Sequence, residues 1–138
     1  MRSIFPCASV LAVIAVTGSA SADPILECRV LGGNDIALRD CLRTQLDISY
    51  RAMAEAQDLA RGAAQQLDQR TGTEAAVLGV EASQQAWEAY RDVECQTIAL
   101  FAGEGTPAEA AEAAQLACAI RLTRARTDGM LRFASEGD

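Results

Sequence analysis

Gln84-Gln85-Ala86-Trp87-Glu88-Ala89-Tyr90-Arg91-Asp92-Val93-Glu94-Cys95 is the stretch whose reading decides the fold. It contains no glycine and no proline, and alanine, glutamine, glutamate and arginine, all good helix formers, dominate it. Trp87, Arg91 and Glu94 fall within two turns of one helical face, with Tyr90 beside them. The same line extends outward through Val77, Val80, Gln84 and Ile98. The spacing therefore predicts a helix from Thr73, its expected N-cap, to about Phe101. In so aromatic-poor a chain, Trp87 is expected to be a core anchor between helices, with Arg91 paired to a carboxylate such as Glu94. The competing reading of the same residues is an aromatic and arginine hot spot for a partner.

Helical signals continue on both sides of this stretch. Downstream, Gly103-Glu104-Gly105 breaks the helix, and Thr106-Pro107-Ala108-Glu109 reads as a new start. Thr106 would be the N-cap, Pro107 the first helical residue, and Glu109 would bond back to the Thr106 amide. That last helix should run to about Phe133, with Leu116, Ile120, Thr123 and alanine and methionine positions facing in, and residues 134–138 fraying. Upstream, Thr71-Gly72-Thr73 forms a turn. Before it, Asn34 caps a helix to about Arg70, on which Leu38, Leu42, Leu46, Tyr50 and Met53 share one face. Leu67 would extend that face, and Gly62 is its weak point for a bend. A short helical turn over 24–31, with Asp23 as cap, ends at Gly32-Gly33. No segment alternates as a strand does. The expected fold is all-α: an antiparallel bundle of three long helices and one short N-terminal helix, stapled by disulfides.

The disulfides follow from the ends of the chain and the cysteine count. Residues 1–22 read as a secretory signal peptide: Arg2 near the start, an apolar run from Cys7 to Val16, and Ala20-Ser21-Ala22 before the cleavage point. Residues 23–138 then form one domain of 116 residues. Cys7 leaves with the leader, and Cys28, Cys41, Cys95 and Cys118 remain, an even number in a short secreted chain. Helical geometry chooses among the three pairings. Across the 103–106 turn, Cys95 and Cys118 are mismatched by only about 4–5 Å of helical rise. Cys41 and Cys95 are mismatched by roughly 12 Å about the turn near 72. The expected pairs are Cys28–Cys41 and Cys95–Cys118. Many core positions are alanine, which buries little apolar area, so these staples have a physical purpose.

Composition also removes whole classes of function. The chain has no histidine and no lysine; without Arg2 it has 11 arginines against 19 acids, a net charge of −8. Such a domain repels nucleic acid and attracts basic partners. No histidine means no Ser-His or Cys-His pair and no histidine metal site, and no C-x-x-C pair is present. Asp92 and Glu94 point to different sides of their helix. We therefore expect no enzyme, no cofactor and no metal, and no membrane span once the leader is removed.

The pattern resembles the LprI-like family, named for a lysozyme inhibitor. The resemblance rests on Cys41 followed by Leu46-Asp47-Ile48-Ser49-Tyr50, on Gln84 with Trp87-Glu88-Ala89-Tyr90-Arg91-Asp92-Val93-Glu94-Cys95, and on Cys118 with Leu122-Thr123 and Arg126. It covers about residues 28–131; the family has Leu-Asn where this chain has Leu46-Asp47. It implies a secreted or periplasmic helical domain that inhibits lysozyme, with Tyr50, Trp87, Tyr90, Arg91, Asp92 and Arg126 as mainly structural motif residues. A lysozyme cleft carries catalytic carboxylates, so a blocker does well to present a projecting polar loop and a base. The protrusions available are the turn with Arg70 and the turn Gly103-Glu104-Gly105-Thr106, which we expect to carry contact with the partner, a basic lysozyme. The alternative is an envelope adaptor domain that binds another envelope protein and does not act on lysozyme.

Overall fold

The computed structural model describes residues 22–136. The expected leader, except Ala22, and the last two residues of the expected frayed tail lie outside the described residues. Four helices follow in order: α1 (Pro24–Val30), α2 (Asp35–Thr71), α3 (Ala75–Gly103) and α4 (Ala108–Glu136). No strand occurs among the described residues. Asp23 caps α1 by accepting from the Ile25 amide, and Pro24 occupies the first turn, where its missing N–H costs nothing. Asn34 caps α2, accepting from the amides of Ile36 and Ala37. The helix then continues through Gly62 without interruption. Gly72, at φ 71°, closes α2 in the left-handed conformation that suits glycine.

Short turns make α2–α3 and α3–α4 antiparallel, so α2 and α4 run the same way. The cross-links confirm this: Arg39 bonds Glu112 near one end of the bundle, and Met130 packs with Ala56 and Ala60 toward the other. α4 is the hub, packed extensively on α2 and on α3, whereas α2 and α3 touch much less. α1 folds back over the junction of α2 and α4, where Cys28, Leu38, Leu42, Ala113, Ala117 and Ile120 form one cluster. The predicted α2 face is the buried one, but alanine continues it: Ala56, Ala60 and Ala64 are buried, while Leu67 is exposed. Small side chains let α2 and α4 approach closely, and each contributes little apolar area.

Two disulfides compensate for that thin core. Cys28 pairs with Cys41 across the Gly32-Gly33 turn, and Cys95 pairs with Cys118 between α3 and α4. A bidentate ion pair ties α1 to α4: Arg124 Nη1 and Nη2 donate to Glu27 at 2.8 and 2.9 Å, and Nη2 also reaches Gln45 Oε1 on α2 at 3.1 Å. The Arg124 hydrogen bonds hold the Glu27 carboxyl below its ordinary pKa, against the opposing effect of burial.

Two helix starts differ from the sequence expectation. α3 is not capped by Thr73; Glu74 occupies that position without a side-chain bond. Asp68, still on α2, reaches across the turn instead, and its carboxylate accepts from the amides of Ala76 and Val77 at 2.9 and 3.0 Å. The Thr73 hydroxyl does not cap the helix; it donates to the same carboxylate and bonds the Thr71 hydroxyl. These bonds, the Val77 amide foremost, lower the Asp68 pKa. The capping box expected at Thr106 and Glu109 does not form either. The Thr106 hydroxyl turns back to the Ala102 carbonyl, closing the end of α3, and the Ala110 amide bonds Pro107. α4 also stays helical past Phe133, to Glu136.

Candidate functional site

The motif residues converge at one level of the bundle. From α2, Tyr50 presents its ring to the Arg91 guanidinium at 5.3 Å from the centroid; Trp87, one turn earlier on α3, does the same at 5.0 Å. Two aromatic faces on one cation give a quadrupolar attraction that also orients the fork. Arg91 then donates through Nε and Nη2 to Asp92 Oδ1 at 2.9 and 2.6 Å. The expected partner, Glu94, is thus replaced by Asp92, because stacking between the rings aims the fork along the helix surface toward its sequence neighbour. Arg126 reaches from α4 to α3, donating to Gln84 Oε1 at 3.1 Å and Ser83 Oγ at 2.9 Å. Gln84 is itself buried, with its amide donating to Glu88 and lying 3.8 Å from Met53 Sδ on α2. The Arg91 stack on Tyr50 therefore joins α3 to α2, and Arg126 joins α4 to α3, where α2 and α3 otherwise meet sparingly. Tyr90 is not part of the cluster; its ring is half exposed on the outer side of α3.

Trp87 differs from the expectation of a sealed core anchor. It is only partly buried, on a helix that packs on α4 and touches α2 much less. An open groove of about 430 Å³ runs past Tyr50 and Arg91, lined also by Leu46, Gln96, and Gln115 and Ala119 of α4. The Arg91 stack links α2 to α3 at this level, and Trp87 stays partly exposed beside it.

The two predicted protrusions occupy opposite ends. Arg70 lies in the last turn of α2, beside the α2–α3 turn, whereas Gly103, Glu104, Gly105 and Thr106 form the α3–α4 turn. The whole of α3 separates them, about 43 Å at the helical rise. Helix directions require this: the turns that enter and leave a single helix lie at its opposite ends. The 103–106 turn shares its end with the α1–α2 turn. There, Arg29, Asp35, Arg39, Pro107 and Glu109 surround a notch of about 250 Å³. Next to the turn, Leu100 and Phe101 are 72% and 77% exposed, and Gly105 adopts φ 71°. Arg29 was not singled out by sequence, since a lone arginine in a seven-residue helix gives no signal there.

Electrostatics at this end is organised by Glu112. It accepts from Arg43 and from Arg39, and these bonds, Arg43 first, lower its pKa. Among the described residues no group of histidine, cysteine, aspartate and glutamate side chains is arranged to hold a metal ion. No described helix is long and apolar enough to cross a membrane.

No curated protein and no solved structure matches the chain. A family model described as lysozyme inhibitor LprI matches residues 31–129, a span that takes in the Tyr50–Arg91–Trp87 brace, the Cys95–Cys118 staple and both inter-helix turns of the hairpins. With most of its length and its cross-linking cluster inside that match, the chain belongs to the lysozyme inhibitor LprI family.

Proposed function

We propose that the protein is a secreted or periplasmic inhibitor of a lysozyme-like muramidase and works by occluding the enzyme's cleft, without catalysis of its own. Family membership over residues 31–129 carries the reading. The two disulfides support the compartment, since such bonds persist where thiols are kept oxidised. The excess of 19 acids over 12 bases favours encounter with a basic target.

Of the two protrusions, the end with Gly103-Glu104-Gly105-Thr106 is the one we assign to the cleft. It combines a narrow turn, exposed Leu100 and Phe101, and a base, Arg29, across the neighbouring notch. The Cys95–Cys118 bond lies two turns from it and limits the entropy lost when the turn is fixed against a target. A muramidase cleft needs a base to meet its carboxylates, which Arg29 supplies. Arg70, at the far end, cannot enter the same cleft at the same time.

The test compares inhibition of a basic lysozyme by the oxidised wild type with that by Arg29→Ala, Glu104→Ala/Thr106→Ala and Arg70→Ala, with helicity checked by circular dichroism. The first two should lose inhibition and the third should keep it. Full inhibition by folded Arg29→Ala and Glu104→Ala/Thr106→Ala variants would remove the turn from the mechanism.

A further inference from the structure

A third concavity lies on the α3–α4 side, away from the end assigned to the cleft. It has a volume of about 320 Å³, and Trp87, Ala125, Arg126, Gly129, Arg132 and Phe133 line it. Small residues, Ala125 and Gly129, and two aromatic ones, Trp87 and Phe133, share its lining. A Cβ at Gly129 would meet Arg132 Nη2 at 3.8 Å, an ordinary contact, so the arginine fork lies beside the glycine in this notch.

The charge of this notch is opposite to that of the chain. With 19 acids among 138 residues, none of the lining residues is acidic. Six arginines of the bundle pair with carboxylates (Arg39, Arg43, Arg51, Arg61, Arg91 and Arg124), whereas Arg126 and Arg132 have no carboxylate partner among the described residues. Arg126 is half-buried and bonded only to neutral oxygens of Gln84 and Ser83. Partial burial of a guanidinium without an anion is unfavourable, and here it depresses the Arg126 pKa. Guanidinium forks match carboxylates in geometry, and two forks on one notch can hold both oxygens. The volume is near the lower bound for small-molecule sites and suits a single six-membered ring.

We propose that this notch binds a small ring-bearing carboxylate, with the ring against the Trp87 indole and the carboxylate between Arg126 and Arg132. Aromatic acids and acidic sugars share that chemistry. The site is separate from the turn assigned to lysozyme, so it stands or falls independently of the inhibitor reading.

Trp87 is the chain's one tryptophan, so its emission reports the site directly. The oxidised protein is titrated with benzoate and with glucuronate, and with benzamide and glucose as their uncharged counterparts. A saturable change with benzoate identifies an aromatic acid as the ligand class, and one with glucuronate an acidic sugar. The matching neutral compound should bind at least about tenfold more weakly, the discrimination expected for one charge-assisted hydrogen bond. Arg132→Gln, an exposed position, should weaken binding by a similar factor, and added salt should weaken it further. Gly129→Leu keeps both charges, favours the helix and fills the notch, so it should abolish the response. If neither acid saturates, if the neutral compounds bind as well, or if folded Arg132→Gln and Gly129→Leu respond as wild type does, the site is not there.

Discussion

Replacing Cys95 and Cys118 together by alanine removes the α3–α4 staple and should destabilise the domain more than any single surface change. The bond closes a loop of 23 residues. The chain-entropy relation gives about 3.4 kcal/mol at 25 °C for that loop, and about 2.9 kcal/mol for the 13-residue loop of Cys28–Cys41. Unfolding entropy near 2.1 cal/mol/K per residue, taken over the 116 residues from 23 to 138, is about 0.24 kcal/mol/K, so the first loss lowers Tm by about 14 °C. The consequence is large because domains of this size have only about 5–15 kcal/mol in total. The two loops do not overlap in sequence, so the losses should add, and the four-alanine variant should fall by about 6 kcal/mol and be largely unfolded at 37 °C. Thermal melts followed by circular dichroism, with urea titrations for the free energy, measure both. Both cysteines are almost fully buried against Leu46, Ile98 and Leu122, so cavity formation can only add to the loss. A Tm drop below about 3 °C for Cys95→Ala/Cys118→Ala would show that α3 is held by its packing on α4 and that the staple is dispensable.

Other outcomes follow from the same geometry. Trp87→Ala should cost about 2–3 kcal/mol, less than the usual 3–5 for a core aromatic because the ring is partly exposed, and urea unfolding would show it. A wild-type-like urea midpoint would mean the ring braces nothing. Stability should hold down to about pH 4.5 and then fall. The Glu27 carboxyl has a folded pKa below its unfolded value of 4.5, so its contribution is complete above that value and is lost as pH drops through the folded one. Arg124→Met should flatten this acid limb, and an unchanged limb would assign it to Asp68 and Glu112. Asp68→Ala should open the first turn of α3, seen as at least tenfold faster hydrogen exchange at the Ala76 and Val77 amides. Unchanged protection there would remove the cross-turn cap. Thiol titration of denatured, unreduced mature protein should read near zero, whereas two thiols per chain would contradict the disulfide framework.

The backbone of the account was legible because helix signals are local. Asn34, Gly72 and the 3–4 spacing of Leu38, Leu42 and Met53 act within a few residues, and the structure follows them. The disulfide pairs were legible because helical rise converts sequence distance from a turn into axial height. What escaped was anything that crosses a turn or depends on which helices touch. Asp68 caps a helix that begins seven residues later, and no local rule weighs it against Thr73. The stacking of Arg91 on Tyr50 joins residues 41 apart, and it redirects the fork to Asp92. The partial exposure of Trp87 depends on how sparingly α2 and α3 touch, and an apolar stripe along one helix says nothing about that. The opposite placement of Arg70 and the 103–106 turn needed only helix directions, but a turn's position in sequence does not show which end of a bundle it occupies until those directions are fixed.

The central claim is inhibition, and the most direct measurement is the clearing of a bacterial cell-wall suspension by a basic lysozyme in the presence of increasing amounts of the oxidised, mature protein. The account predicts a dose-dependent slowing that saturates at an equimolar complex and disappears after reduction of the disulfides. Unchanged clearing by every lysozyme tried, with the protein folded and in large molar excess, would contradict it.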